Sequence, residues 1–349
     1  MYSLSFNKDI CLACETLDCL LRCQYIDIEI EAAKAEKKKI VNGQYSDILK
    51  QCATCYACEE YCPNSNHPFF QIVELQEEIG YCPAPRPITN QQIKMYAPKG
   101  DNDLGYGLRN PSISLCLFPD MKERLSGEIF EETSSFLGRD FFCNLVYLHF
   151  AKMSLIKERL PQVVDNINKN LAKSGLKELV CFHDECFAGF TYWAEAYGLE
   201  VPFTPIHLYE FLLKRLKALK ERIKPLGSIV AYQRPCSNRL IPKTQGLVDE
   251  VFRLIGARRA DRKYDRENAL CCGSIIIMQG RDELAEEVQE KNIQDMVDSG
   301  ARYCLFNCPM CYYTLGEKVE KRGITPVTMP DLCRFALEEV QEEYGEIYE

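Results

Sequence analysis

The sequence predicts an α+β multidomain protein: a helical, cysteine-bearing amino-terminal domain, then two pseudo-repeated α/β lobes with parallel-sheet cores. Three observations predict it. Two cysteine runs in the first eighty residues are separated by 28 residues rich in Ala, Glu and Lys (IEIEAAKAEKKKI), a composition that favours helix. From about residue 112 the chain repeats itself at an offset of 125 residues: Gly175 meets Gly300, Val180 meets Leu305, Cys186 meets Cys311, Gly198 meets Gly323 and Pro205 meets Pro330. Within each repeat, short apolar runs alternate with longer amphipathic ones, the pattern of parallel strands covered by helices on both faces. The strand runs are Leu179–Phe182, Ser228–Tyr232 and Tyr303–Phe306; the helix runs are Leu208–Ile223 and Leu284–Ser299. The domain bounds that follow are 1–80, a Pro-, Asn- and Gly-rich linker over 81–111, a first unit over 112–224 and a second over 225–349.

Composition narrows the function. The chain has 20 Cys in 349 residues, too long to need a disulfide framework for stability, so cysteine clusters point to metal in a reducing compartment. A net charge of −9 argues against a nucleic-acid partner. The compact basic run Lys37-Lys38-Lys39 reads as a solvated helix face. No basic leader precedes an apolar run and no stretch of 18 apolar residues occurs, so neither export nor a membrane span is expected. The expectation is a cytoplasmic chain, with any membrane contact made through a partner subunit.

The amino-terminal domain carries Cys11-Leu-Ala-Cys14, Cys19 and Cys23, then Cys52-Ala-Thr-Cys55-Tyr-Ala-Cys58-Glu-Glu-Tyr-Cys62-Pro63. The second run is the C-x2-C-x2-C-x3-C-P pattern of cubane [4Fe–4S] proteins, in which the fourth cysteine ligates the cluster held by the other run. Transferred here, one cluster takes Cys11, Cys14, Cys19 and Cys62; the other takes Cys52, Cys55, Cys58 and Cys23. The first run departs from the pattern, with four residues before Cys19 and Gln24 in place of proline. A pair of structural zinc sites is the competing reading, although zinc usually takes two widely separated C-x2-C pairs. With its long helical connection the domain resembles the α-helical ferredoxin domain of succinate dehydrogenase iron–sulfur subunits.

The second unit holds Cys236, Cys271-Cys272-Gly273 and Cys308-Pro-Met-Cys311. This resembles the cysteine-rich CCG domain of heterodisulfide reductase catalytic subunits and related iron–sulfur oxidoreductases, some of which fuse a two-cubane domain to two CCG units. The resemblance implies that Cys236, Cys271, Cys272, Cys308 and Cys311 hold one further [4Fe–4S] cluster, cubane or non-cubane, and form the catalytic centre. Gly273 would let the backbone turn close to it. Cys304 and Cys333 have no slot in the pattern and read as core.

The first unit departs from the family pattern at nearly every ligand. Asp120 stands over Cys236, Phe142-Cys143-Asn144 over Cys271-Cys272-Gly273, and His183-Asp-Glu-Cys186 over Cys308-Pro-Met-Cys311. Three readings stay open: no metal, zinc on Asp120, Cys143, His183 and Cys186, or a modified cluster with a histidine ligand. Cys116 and Cys181 lie near enough to complicate that set.

The expected function is an iron–sulfur electron-transfer subunit of an anaerobic oxidoreductase complex, passing electrons between two cubanes and the CCG cluster. The alternatives are a thiol/disulfide reductase of heterodisulfide type and a structural zinc protein. No G-x-G-x-x-G follows a strand and no phosphate loop occurs, so the electron donor is expected on another chain: a flavoprotein, a hydrogenase or formate dehydrogenase module, or another redox subunit.

Overall fold

A computed structural model describes residues 3–100 and 102–340; the outer domain bounds at 1 and 349 lie outside the described residues. Up to Pro111 all regular structure among them is helical: Lys8–Ala13, Asp18–Leu21, Ile30–Val41, Ile48–Gln51, Ala57–Tyr61, Pro68–Glu78 and Arg86–Met95. The 12-residue helix Ile30–Val41 is the one that Ala, Glu and Lys predict, and it buries Ala33, Ile40 and Val41. Three short helices end at cysteines. Cys14, Cys52 and Cys62 each take the extended C-cap position, where the helix has released the backbone and the chain changes direction.

The stretch 81–111 carries more order than a linker composition suggests. Arg86–Met95 is helical because Pro87 falls in the first turn, where its missing N–H costs nothing. The carbonyls of Gln92 and Ile93 sit within reach of the Tyr147 hydroxyl, which fastens the segment to the first lobe.

Eight strands follow: β1 (Ser112–Cys116), β2 (Ser134–Leu137), β3 (Glu178–Cys181), β4 (Thr204–His207), β5 (Ile229–Gln233), β6 (Arg258–Arg259), β7 (Tyr303–Phe306) and β8 (Thr325–Thr328). They form two four-stranded sheets of matching order, β2-β1-β3-β4 and β6-β5-β7-β8. Every pairing is parallel, as the strand–helix alternation requires. In register, Ile113 faces Val180 and Val180 faces Ile206; Tyr232 faces Leu305 and Leu305 faces Val327. The helix predicted over Leu208–Ile223 stops at Ala218 and gives way to a 3-10 turn, Lys220–Arg222.

The two sheets share a core. Ile113, Val180, Leu212 and Leu216 of the first lobe pack in one buried cluster with Val230, Leu305, Val327 and Leu332 of the second. A second cluster joins Tyr56, Phe69, Phe70 and Val73 of the helical domain to Phe142, Leu145 and Trp193 of the first lobe. A third gathers Cys271, Cys272, Cys308 and Cys311, with Tyr25 and Cys55 of the helical domain against it. Burial of this extent, at about 25 cal/mol per Å² of apolar surface, fixes the three parts as one body. The cysteine groups therefore sit in a rigid frame.

Candidate functional site

The eight amino-terminal cysteines sort into two groups of four. Cys11, Cys14, Cys19 and Cys62 line one pocket, and Cys23, Cys52, Cys55 and Cys58 line another, which Cys19 also borders. The last cysteine of each run has crossed to the other group. Left-handed backbone at Leu17, Thr54 and Tyr56 makes the turns tight enough for this. N–H groups also point at sulfur: Thr54 N–H donates to Cys52 Sγ at 3.3 Å, and Asn66 N–H to Cys62 Sγ at 3.3 Å. Burial pushes Cys19, Cys52 and Cys55 up to about 12 and Cys11 to about 11, with neighbouring thiolates adding to the rise. Four such thiols could ionise together only around a cation. Their donor set, all sulfur and held in a pocket, fits an iron–sulfur cluster.

Lys37 departs from the solvated-face reading. Its ammonium donates to the Cys14 carbonyl at 2.7 Å, and its side chain lines the Cys11 pocket. Exposed Lys38 keeps to that reading.

The five cysteines of the second lobe line a single larger cavity of about 80 Å³. Cys236 opens a 3-10 turn after β5; Cys308 caps the helix Pro309–Glu320, and Cys311 lies in its first turn. The turn at Cys271-Cys272-Gly273 needs its glycine. Gly273 has φ +88°, and a Cβ there would stand 2.7 Å from Gln289 Nε2, which donates to the Cys272 carbonyl at 2.9 Å. Tyr25 reaches in from the helical domain, its hydroxyl oxygen accepting from Cys271 N–H at 2.8 Å. Hydrogen bonds from Cys271 and Cys311 hold Cys272 down at about 6 against the opposing effect of burial. Cys308 is held well below its usual value by Cys311 and the charge of His183.

The first lobe supplies the facing wall: Leu117, Phe118, Phe142, Val146, His183 and Glu185. His183 thus faces Cys308 across the cavity. Burial would lower its pKa, but the Cys308 thiolate outweighs that and holds it up at about 10. Glu185 stands between two histidines, Oε2 at 3.7 Å from His183 Nδ1 and Oε1 at 3.8 Å from His149 Nε2; burial lifts it to about 7. His149 is sunk to about 3 by burial and lies between the hydroxyls of Tyr56, 2.9 Å, and Thr54, 3.0 Å.

The four first-unit residues considered for zinc are not brought together. Asp120 is exposed, its carboxylate accepting from the Tyr313 hydroxyl at 3.5 Å. His183 faces the second lobe, while Cys143 and Cys186 are buried beside Cys116. No group of three or more His, Cys, Asp or Glu side chains among the described residues could hold a single metal ion. The thiols of the second lobe and of the helical domain line cavities. Cys304 and Cys333 are fully buried in apolar packing. Sequence reasoning missed Tyr25 and His149, which stand in no motif, and Glu185, which lies within His183-Asp-Glu-Cys186. It gave no role to Cys116, whose signal is its place at a strand end.

Residues 230–316, which contain all five of these cysteines, match the cysteine-rich CCG domain family. This segment is a CCG domain. The chain is also similar to the D subunits of the dihydromethanophenazine:CoB–CoM heterodisulfide reductases of three Methanosarcina species. With that of M. mazei it is 25% identical over 315 residues, 77% of this chain and 72% of that one. With those of M. barkeri and M. acetivorans it is 25% and 27% identical over 166 and 165 residues, 44% and 42% of this chain. The match spans only 41% and 39% of these two relatives. The chain thus carries a CCG domain and is similar to heterodisulfide reductase D subunits.

Proposed function

We propose that the protein carries three four-iron clusters and passes electrons among them within a larger redox complex. One cubane would be held by Cys11, Cys14, Cys19 and Cys62, and one by Cys23, Cys52, Cys55 and Cys58. The third, cubane or non-cubane, would be held by Cys236, Cys271, Cys272, Cys308 and Cys311 of the CCG domain. Bound clusters would supply one-electron storage; the chain supplies spacing, burial and hydrogen bonds that tune each potential. The observation that carries this reading is the contact between the second and third groups. Tyr25 borders the Cys23–Cys58 pocket and accepts from the backbone of Cys271, and Cys55 lies close enough to Cys236 for their charges to interact.

Likeness to a reductase subunit supports a multi-subunit setting. The electron donor is proposed to sit on another chain, a flavoprotein or a hydrogenase- or formate dehydrogenase-type module, near the Cys11 group. No helix among the described residues is long and apolar enough to cross a membrane. A cytoplasmic position, with membrane contact through a partner, is proposed with it.

One observation favours a second reading, a thiol/disulfide reductase. The CCG cysteines open onto a cavity whose far wall carries a histidine and a carboxylate, so a small molecule could lie against them. Anaerobic preparation followed by iron, sulfide and zinc analysis tests the main proposal. About twelve irons per chain, with matching sulfide, supports it. A colourless protein with stoichiometric zinc would overturn it, and disulfide turnover by the isolated chain with an artificial donor would replace it with the second reading.

A further inference from the structure

The geometry points to a buried redox dithiol in the first lobe: Cys116 and Cys186, a pair that closes reversibly into a disulfide, stand where the second lobe has an open cysteine-lined cavity. Cys116 Sγ and Cys186 Sγ are 3.2 Å apart and hydrogen-bonded, and Cys143 hydrogen-bonds Cys186 from the other side. Cys116, Cys186 and Cys143 are buried, at 3%, 1% and 0% exposure.

The spacing of this pair fits a dithiol. Two thiolates on one tetrahedral zinc, each about 2.3 Å from it, stand roughly 3.8 Å apart, and ligands of a multi-iron body stand further apart still. At 3.2 Å nothing fits between the sulfurs. A disulfide needs them at about 2.05 Å, an approach of roughly 1 Å that side-chain rotation can supply. The surroundings are closed as well: a Cβ at Gly189 would already stand 3.1 Å from Cys143 Cβ. Of the two other donors that the repeat would offer, Asp120 is exposed beside Tyr313 and His183 faces Cys308.

Cys116 is held in a strained position. It has φ +50°, left-handed backbone for a non-glycine residue, at the point where the pairing of β1 with β2 slips register. Such a conformation is unfavourable for a residue with a Cβ and persists only where its surroundings enforce it. Its sulfur is fixed from three sides, by Ser114 Oγ at 3.1 Å, the Phe141 carbonyl at 3.4 Å and Cys186.

Closure converts two thiols into one S–S bond and releases two protons to water and two electrons. Two equivalents of a one-electron acceptor take the electrons, the class to which iron–sulfur centres belong. Burial closes off the alternative route, attack by an external thiolate, which needs contact with a sulfur. The lobe would then store two electrons as a pair beside centres that move them singly. The electron acceptor, though not the dithiol itself, rests on the clusters proposed above.

The test uses the full chain prepared anaerobically, one portion reduced with dithionite and one oxidised with a ferrocenium mediator. Both are denatured in acid, alkylated and mapped by mass spectrometry. The expected result is the loss of two alkylatable thiols on oxidation, found as a linked Cys116–Cys186 peptide, and their return on re-reduction. Cys116→Ser should abolish the link at unchanged iron content, and Cys143→Ser should leave it. Full alkylation of both residues after oxidation, a link to Cys143 instead, or zinc that is lost in Cys186→Ser would each overturn the inference.

Discussion

The hydroxyl of Tyr25 accepts a hydrogen bond from the backbone N–H of Cys271, 246 residues further along the chain. The same ring borders the pocket of Cys23, Cys52, Cys55 and Cys58. One side chain therefore touches two cysteine groups, and it satisfies an amide in the CCG turn. Tyr25→Phe should keep the packing and strand that amide. A buried donor without a partner costs about 1–3 kcal/mol, to be read as a lowered denaturant midpoint. The electron paramagnetic resonance signal of the CCG centre should shift as well; an unchanged midpoint and signal would show that the contact contributes nothing.

Glu60 ties the helical domain to the CCG domain. It accepts from Arg234 at 2.9 Å, from Gln245 at 2.7 Å and from Arg239. Both arginine side chains are nearly inaccessible to water. Glu60→Ala would leave two buried guanidinium groups short of their counter-charge, at about 3–5 kcal/mol. Burial would raise the pKa of Glu60, but the hydrogen bonds and charges of the two arginines more than offset this and hold it below the usual carboxylate value. Its contribution is complete above the ordinary carboxylate pKa and is lost as pH falls through the depressed one. Thermal unfolding followed downward from about pH 5 should show that loss in the native chain and a flatter profile in Glu60→Gln.

His149 should act over a different pH window. Neutral and buried between two hydroxyls, it has a folded pKa of about 3 against about 6.5 when unfolded. The unfolded chain therefore binds the extra proton first, and stability falls as pH drops from about 6.5 toward about 3. Between about pH 7 and pH 5 the expected loss is about 2 kcal/mol, visible in urea midpoints. His149→Gln should remove most of that slope; an identical slope in the variant would assign it to other groups.

The crossed cysteines make a fourth prediction. Cys62 ends the second run but lies with Cys11, Cys14 and Cys19; Cys23 ends the first run but lies with Cys52, Cys55 and Cys58. Cys62→Ser should therefore disturb the cluster of the first run, and Cys23→Ser that of the second, each with a loss of up to about four irons. If Cys62→Ser instead gave the spectrum of Cys55→Ser, the crossing would be wrong.

Local patterns are legible in the sequence where the physics is local. Tyr303–Phe306 reads as a strand to the residue, because four apolar residues between a glycine turn and a helix cap leave little choice. Docking between lobes is not legible. The repeat aligns His183 with Cys308 in sequence, and from that alone it belongs with Cys186; in the fold the lobes face each other and it turns to Cys308 itself. Cys116 has no partner at a motif spacing: its neighbour Cys186 lies seventy residues on. The helix Arg86–Met95 hides behind its prolines, which break helices in the middle but not in the first turn.

The facing wall built by Leu117, Phe118, Phe142 and Val146 has one more implication. The sulfurs of the neighbouring lobe look across the cavity at an aromatic and aliphatic wall that contributes none of those five sulfurs. Trimming Phe118 opens that wall and should shorten the protein's lifetime in air without changing what it binds.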